Sequence, residues 1–204
     1  MARKRKADHD TAVAAALDLF WSRGYEASTR EIEEKTGLTR FTLQTAYGGK
    51  EGFFLDTLDA YLDRAEQHHF PDPTTCDLAG LADWFESLAQ PGRIPLVDQK
   101  GCLAFNSIAD FNRENAEINK RVQRYLQMFE DRVLAILERA RSDGALITAL
   151  EPADAATILV DLLLGLHVII KAREDDAIAQ QHARSVATLI RTWQSGMASG
   201  AASA

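Results

Sequence analysis

Apolar residues recur at intervals of three and four along almost the whole chain, the spacing that predicts amphipathic α-helices. Two short helices are predicted between residues 28 and 47 and another short one at 103–112, and longer helices cover 8–23, 50–69, 77–90, 115–142, 152–173 and 175–197. Pro marks the break at 71–77, and Pro with Gly marks the break at 91–95. No stretch alternates apolar and polar residues as a strand does, so the pattern predicts an all-α fold.

The two short helices have the capping signals of a helix-turn-helix. Ser28 and Glu31 have the spacing of a capping box, and Gly37 stands where a helix ends in left-handed backbone. Thr39 caps the second helix, which is about two turns long. Its inner face and its outer face differ: Leu43, Ala46 and Tyr47 against Phe41, Gln44 and Thr45, with Arg40 and Thr42 on the flanks. Such a helix fits a DNA major groove.

Charge is distributed unevenly between the two parts of the chain. Residues 1–50 carry nine Lys/Arg and seven Asp/Glu, a net charge of +2, whereas residues 51–204 carry fourteen and twenty-three, a net charge of −9. The N-terminal excess includes a basic arm before the first predicted helix: Arg3, Lys4, Arg5 and Lys6. Such an arm binds phosphates by releasing counterions, although a solubilising tail or a purification remnant has the same composition.

Residues 16–54 resemble the N-terminal domain of TetR/AcrR-type transcriptional repressors. The matching features, in order, are Leu19–Phe20, Gly24–Tyr25, Ser28–Thr29, Ile32, Gly37–Leu38–Thr39, Thr42–Leu43, Tyr47 and Lys50–Glu51. We therefore expect an N-terminal three-helix DNA-binding domain with its basic arm at residues 1–50 and a larger helical effector-binding and dimerisation domain at 51–197. The low-complexity tail 198–204 is expected to be disordered.

The chain departs from the family pattern at three positions. The family usually has a small residue where Phe41 stands, a Tyr where Gln44 stands and an Ala where Glu33 stands. That Tyr commonly contacts phosphate, so Gln44 either reads an adenine with two hydrogen bonds or binds phosphate, and Phe41 could contact a thymine methyl. The predicted DNA-binding residues are Arg3, Lys4, Arg5, Lys6, Thr29, Arg30, Thr39, Arg40, Phe41, Thr42, Gln44, Thr45, Tyr47 and Lys50.

The last two predicted helices carry an apolar seam. Helix 152–173 is apolar almost all round and needs packing partners on several sides. The seam is either intramolecular core or a dimer interface in which two copies form a four-helix bundle. We favour the dimer, because two-fold symmetry suits two DNA half-sites and the resemblance implies it. The predicted interface residues are Leu162, Gly165, Val186, Ile190, Trp193 and Met197.

An effector pocket is implied by the resemblance alone. Its candidate lining is mainly apolar, which suits a hydrophobic or aromatic effector, although the same residues also fit plain core. The candidates are Tyr61, Trp84, Leu88, Phe105, Ala109, Met128 and His167.

Other chemistry has little support in the sequence. His68 and His69 are adjacent, so on a helix they point about 100° apart and suit one metal ion poorly. Cys102 could sense oxidants if exposed, or be a buried small apolar residue. We find no catalytic order of residues and no cofactor fingerprint. We therefore predict no enzyme activity, no cofactor and no metal.

Cellular context follows from cysteine use and apolar runs. Cys76 and Cys102 are far apart and suggest no disulfide framework, which is typical of a reducing cytoplasm. The longest apolar run, 158–170, is interrupted by Asp161 and His167 and is shorter than the roughly 20 residues that a bilayer requires. We predict a cytoplasmic protein that does not associate with membranes.

The combined prediction is a ligand-responsive transcriptional regulator, in particular a repressor. It would bind a palindromic operator in double-stranded DNA as a homodimer and leave it when a small hydrophobic or aromatic effector binds. The alternative is a helical protein–protein interaction module whose N-terminal domain no longer binds DNA. The acidic residues Glu31, Glu33 and Glu34 beside the predicted turn keep that alternative open.

Overall fold

The structure is a computed structural model that describes residues 2–92, 100–111, 114–172 and 175–195, with the backbone alone described for residues 2–8 and 109. Within these ranges the chain forms helices and no strand, apart from one isolated bridge between Leu146 and Gln194. The predicted all-α fold is confirmed. The helices are α1 Ala2–Arg23, α2 Thr29–Thr36, α3 Arg40–Tyr47, α4 Lys50–His68, α5 Leu78–Ser87, α6 Leu103–Phe111, α7 Ala116–Ser142, α8 Pro152–Ala172 and α9 Asp176–Thr192.

The chain divides into two compact units. Unit 1 comprises residues 1–69 and 100–126, and unit 2 comprises residues 70–99 and 127–204. Unit 1 thus holds α1 to α4, α6 and the first part of α7, because α4 buries apolar side chains together with α1 and α6. Compactness and function need not share a boundary, so the functional division at residue 50 stays a prediction. The predicted tail 198–204 lies outside the described residues.

The core of unit 1 is an aromatic cluster between α1 and α4. The ring of Phe20 lies 5.0 Å from that of Phe54, edge to face, and 6.1 Å from that of Phe53. Ile32 from α2 is fully buried and Leu43 from α3 is 2% exposed, so both short helices are anchored by one apolar side chain each. Burying such a side chain contributes about 1.5–3 kcal/mol, which a two-turn helix needs because it is marginal alone.

Glycines make the sharp connection between α3 and α4 possible. Gly48 ends α3 in the left-handed region with φ of 73°, and the amide of Gly49 donates to the carbonyl of Leu43 at 2.9 Å. At the first turn of α4, a Cβ atom at residue 52 would overlap the carbonyl oxygen of Tyr47. Gly52 therefore allows α4 to start directly against the last turn of α3.

Unit 2 is built around α9. Helices α5 and α8 both pack along it, and Arg191 of α9 forms ion pairs with Asp83 at 2.7 Å and Glu86 at 3.3 Å. These pairs are exposed and contribute little, so packing holds the unit together.

Part of the seam predicted to face a partner subunit is instead core of unit 2. Ile190 is fully buried and Trp193 is 6% exposed, and both α5 and α8 pack on α9. A side chain already enclosed by its own chain cannot form an exposed dimer patch, which corrects the assignment of Ile190 and Trp193. Met197 lies outside the described residues.

In unit 2, large apolar side chains remain exposed on α8 and α9. They are Ile158, Val168, Ile178 and Leu189. Among the described residues, α8 is also the single helix whose length and composition would allow it to cross a bilayer. The whole helix has 21 residues and is therefore longer than the apolar run 158–170. Core helices of soluble proteins meet the same criterion, and seven of its residues are buried in unit 2.

We predict that Ile190→Ala lowers the free energy of unfolding by about 2–5 kcal/mol, because it leaves a cavity in the core. Ile178→Ala is the matched control, with the same residue type on the same helix but 51% exposed, and should change stability by no more than about 0.5 kcal/mol. Denaturant unfolding of both variants measures this. Equal losses would contradict the assignment of Ile190 to the core.

Candidate nucleic-acid interface

The helix-turn-helix is capped as the sequence predicts. The Ser28 hydroxyl accepts from the amide of Glu31 at 3.2 Å, and the Glu31 carboxylate accepts from the amide of Ser28 at 2.7 Å, which completes the capping box. Both Ser28 donors lower the pKa of Glu31 because they stabilise its ionised form. Gly37 ends α2 with φ of 72°, and Thr39 accepts from the amide of Thr42 at 3.2 Å to begin α3.

The outer face of α3 presents an unusual aromatic side chain to solvent. Phe41 is 76% exposed, and Gln44 and Thr45 beside it are exposed as well. Leu43 is buried as predicted, but Ala46, which we placed on the inner face, is exposed. Its exposure on the outer face of α3 leaves the ring of Phe41 accessible to a partner.

The hydroxyl groups on α3 already have local partners. Thr45 donates to the carbonyl of Phe41 at 2.8 Å, and the Thr39 and Thr42 hydroxyls lie 3.0 Å apart. A hydroxyl that donates within its own helix can still accept from a base but has no free proton to donate to one. Of the predicted base-reading residues, Gln44 is therefore the best placed, because it is exposed and carries both a donor and an acceptor.

Lys50 is held against an aromatic ring at the start of α4. Its ammonium lies 4.2 Å from the ring centre of Tyr25, a cation–π distance, and partial burial lowers its pKa while Glu26 and Glu31 oppose that shift. Tyr25 is itself fixed by α6: its amide donates to Asp110 at 2.8 Å, and its ring lies 4.4 Å from that of Phe111. Lys50 is thus a positioned cation at the edge of the helix-turn-helix.

Tyr47, the last residue of α3, is half-buried. Its ring packs edge to face on Phe53 at 4.7 Å, and its hydroxyl lies 3.3 Å from Nδ1 of His9. Part of this side chain therefore anchors α3 to α1 and α4. Its role in DNA contact stays a prediction.

The remaining predicted DNA contacts differ in exposure. Arg30 is exposed and pairs with Glu34 one turn on at 2.8 Å, Arg40 and Thr39 are exposed, and Thr29 is half-buried. The backbone of the predicted basic arm is part of α1 rather than a segment before it. The side chains of Arg3, Lys4, Arg5 and Lys6 lie outside the described residues.

The seven predicted effector residues belong to two different units. Tyr61 and Phe105 lie in unit 1, where the Tyr61 hydroxyl donates to the Cys102 thiol at 3.2 Å. The side chain of Ala109 lies outside the described residues. In unit 2, Trp84 stacks on Phe129 at 5.4 Å, Leu88 is buried and Met128 is half-buried. Burial lowers the pKa of His167 to about 4, so its imidazole is neutral near pH 7.

Two cavities are described in unit 2, and neither is lined by a predicted effector residue. One of about 310 Å³ is a groove between α8 and α9, and one of about 290 Å³ lies beside the end of α7 near Arg139. The effector residues therefore stay a prediction.

Burial shifts the pKa values of the two cysteines and of one of the paired histidines. Cys102 is buried, and burial raises the pKa of its thiol, the opposite of what a reactive thiolate requires. Burial also raises the pKa of Cys76, to about 11. Burial lowers the pKa of His69 to about 4. In the described part of the chain, no group of three or more His, Cys, Asp or Glu side chains could hold a metal ion.

Comparison with known proteins identifies the family of both the N-terminal and the C-terminal part of the chain. Residues 12–57 match the family model for bacterial regulatory proteins of the tetR family, and residues 78–198 match the model for the tetracyclin repressor-like C-terminal domain. The HTH-type transcriptional repressor ComR of Escherichia coli K12 is 27% identical over 196 residues, which cover 94% of this chain and 91% of ComR.

Solved structures share the fold. A TetR-family transcriptional regulator from Cytophaga hutchinsonii superposes with a TM-score of 0.78 at 14% identity, covering 91% of this chain and 94% of that one. A cysteine mutant of the TetR-family regulator CifR, solved with 26-bp operator DNA, gives a TM-score of 0.68 at 24% identity, covering 90% and 96%. At these identities the likeness shows the fold alone.

We predict that Gln44→Ala weakens DNA binding by about 1–3 kcal/mol at one base position and leaves the other positions unchanged, because a bidentate contact reads a single base. Lys50→Ala is the contrast: it should weaken binding equally on all sequences and lower the salt slope by about one. Binding to a library of single-base variants distinguishes them. An unchanged base preference after Gln44→Ala would reassign Gln44 to phosphate or solvent.

Proposed function

This chain belongs to the TetR family of bacterial transcriptional regulators. We propose that it is a transcriptional repressor that acts in the cytoplasm. It binds a palindromic operator as a homodimer and leaves the DNA when a small hydrophobic or aromatic effector binds. The exposed outer face of α3 carries this proposal. Phe41 and Gln44 are exposed there, and the positioned cation of Lys50 begins the next helix.

Two relatives support repression as the mode of regulation and DNA as the binding partner. ComR is described as a repressor, and CifR is described in complex with double-stranded operator DNA. In a helix-turn-helix, the recognition helix enters the major groove and a two-fold dimer spaces two such helices one turn of DNA apart. Phosphate contacts then supply affinity, and the outer face of α3 supplies the base preference.

The groove between α8 and α9 supports dimerisation. Its lining is mainly apolar: Asp161, Leu162, Gly165, Leu166, Ile169, His182, Ser185, Val186 and Leu189. Gly165 is exposed, and a Cβ atom there would meet nothing within 4 Å in its own chain, so the position is open to a second backbone. The predicted interface residues Leu162, Gly165 and Val186 all line this groove, which replaces Ile190 and Trp193 as the proposed seam.

Effector control would work through a shift of populations. An effector that binds better to the conformation in which the two α3 helices are wrongly spaced for DNA lowers the affinity for DNA. By the same coupling free energy, bound DNA lowers the affinity for the effector. Helix α4 is the proposed lever, since it carries Lys50 at one end and the candidate effector residue Tyr61 further along.

A gel shift with the full chain and the intergenic DNA upstream of its own gene tests this function. We expect a specific complex that survives excess unrelated DNA and weakens steeply as salt rises, since several cations meet phosphates. The absence of any complex at low salt would sink the proposal and favour the interaction module without DNA binding.

We predict that Gly165→Glu splits the dimer while the fold is retained. The new carboxylate has room within its own chain but would be desolvated and unpaired against a second copy. Ala153→Glu is the control, because residue 153 is exposed on the same helix outside the groove. Sedimentation at tens of micromolar reads out the mass. A wild type that sediments as a monomer there would contradict the proposed dimer.

A further inference from the structure

The carboxylate of Glu33 bridges the two helices of the helix-turn-helix. One carboxylate oxygen of Glu33, on α2, accepts a hydrogen bond of 2.5 Å from the backbone amide of Arg40. Arg40 is the first residue of α3, where the backbone amide has no partner within its own helix. A side chain seven residues earlier therefore satisfies a donor that would otherwise need water or a ligand.

This bond differs from the ordinary cap of the same helix. Thr39 accepts from the amide of Thr42 at 3.2 Å, which closes the first turn of α3 locally. Glu33 instead ties α3 to another helix, with a negative charge at the positive end of the helix dipole. Hydrogen bonds to charged groups are about twice as strong as those between neutral groups.

The link holds the N-terminal end of α3 at the turn, whereas Tyr47 anchors the opposite end of α3 on α1 and α4. The space around Gly37 is open, with nothing within 4 Å of where its Cβ would lie. Each helix has eight residues and buries one apolar side chain, Ile32 on α2 and Leu43 on α3. Leu43 and Tyr47 hold the middle and the end of α3, and the Glu33 bond adds a third point of attachment at its first residue.

We propose that Glu33 is a positioning residue for DNA reading: its bond to the Arg40 amide fixes the rotation of α3 and so the direction in which Phe41 and Gln44 point. The proposal rests on the proposed function, since it assumes that α3 reads DNA. It also removes the Arg40 amide from the donors that a helix N-terminus offers to phosphate. The Ala common at this position in the resembling family has no oxygen with which to form this bond.

The first measurement is hydrogen exchange of the Arg40 amide in the free protein. Glu33→Ala should speed this exchange on the order of tenfold or more, as expected when a bond to a charged acceptor is lost. Glu33→Gln keeps an acceptor oxygen and should restore most of the protection. Glu34→Ala is the matched control, because Glu34 pairs with Arg30 on the outside of α2 and should leave the Arg40 amide unchanged.

The second measurement is the base preference of the same variants on a library of single-base operator variants. We expect Glu33→Ala to flatten the preference at the positions that α3 reads, and Glu33→Gln to keep the wild-type profile. Rescue by Gln separates positioning from charge, since both variants remove the negative charge equally.

Three results would overturn the proposal. Unchanged Arg40 exchange in Glu33→Ala would show that the bond does not persist in solution. Equal gains in affinity on every sequence for Glu33→Ala and Glu33→Gln would show that Glu33 acts only by repelling phosphates. Faster exchange with an unchanged base profile would make the bond structural alone. If the wild type binds no DNA, the proposed function fails in the second measurement, while the exchange measurement still reports separately on the bond.

Discussion

The close approach of α4 to the last turn of α3 is the constraint on which the proposed DNA-binding surface depends. At Gly52 any side chain would overlap the carbonyl oxygen of Tyr47, so the first turn of α4 fits there only as glycine. This contact places Lys50 just beyond the end of α3 and lets Phe53 pack against the ring of Tyr47. Through Phe53 and Phe54 the same turn joins the aromatic core on Phe20 of α1. The exposed face of α3 is therefore held from behind by backbone and aromatic packing.

The polar groups of the helix-turn-helix are used mostly for its own architecture. Ser28, Glu31 and Thr39 cap helices, and Thr45 bonds back to the carbonyl of Phe41. Acidic residues that seemed to argue against DNA binding satisfy backbone amides instead, as Glu31 and Glu33 both do. A carboxylate bound to amides at a helix start is partly neutralised by the dipole, so it opposes DNA less than a formal charge suggests. The weak net positive charge of this region thus understates its suitability for DNA.

The C-terminal helices show how one apolar helix serves two surfaces. Helix α9 turns Ile190 and Trp193 toward its own chain, while Ile178 and Leu189 remain exposed. The apolar composition of α8 has the same origin, since it packs on α9 with one face and borders the groove with another. An amphipathic period alone cannot separate these roles, because both faces are apolar.

The sequence by itself determined the helices, the caps of the helix-turn-helix and the family, because those signals are local: periodicity, capping pairs and glycines at helix ends. It also identified Leu43 as buried and Phe41 and Gln44 as outward, which follow from helical geometry within one element. Only the tertiary structure decided that Ile190 is core, that Ala46 is exposed, and that Glu33 reaches the amide of Arg40. Each of these outcomes depends on how one helix meets a neighbouring segment. Such contacts join residues that are distant along the chain or lie across a turn, so the spacing of residues within one helix cannot predict them.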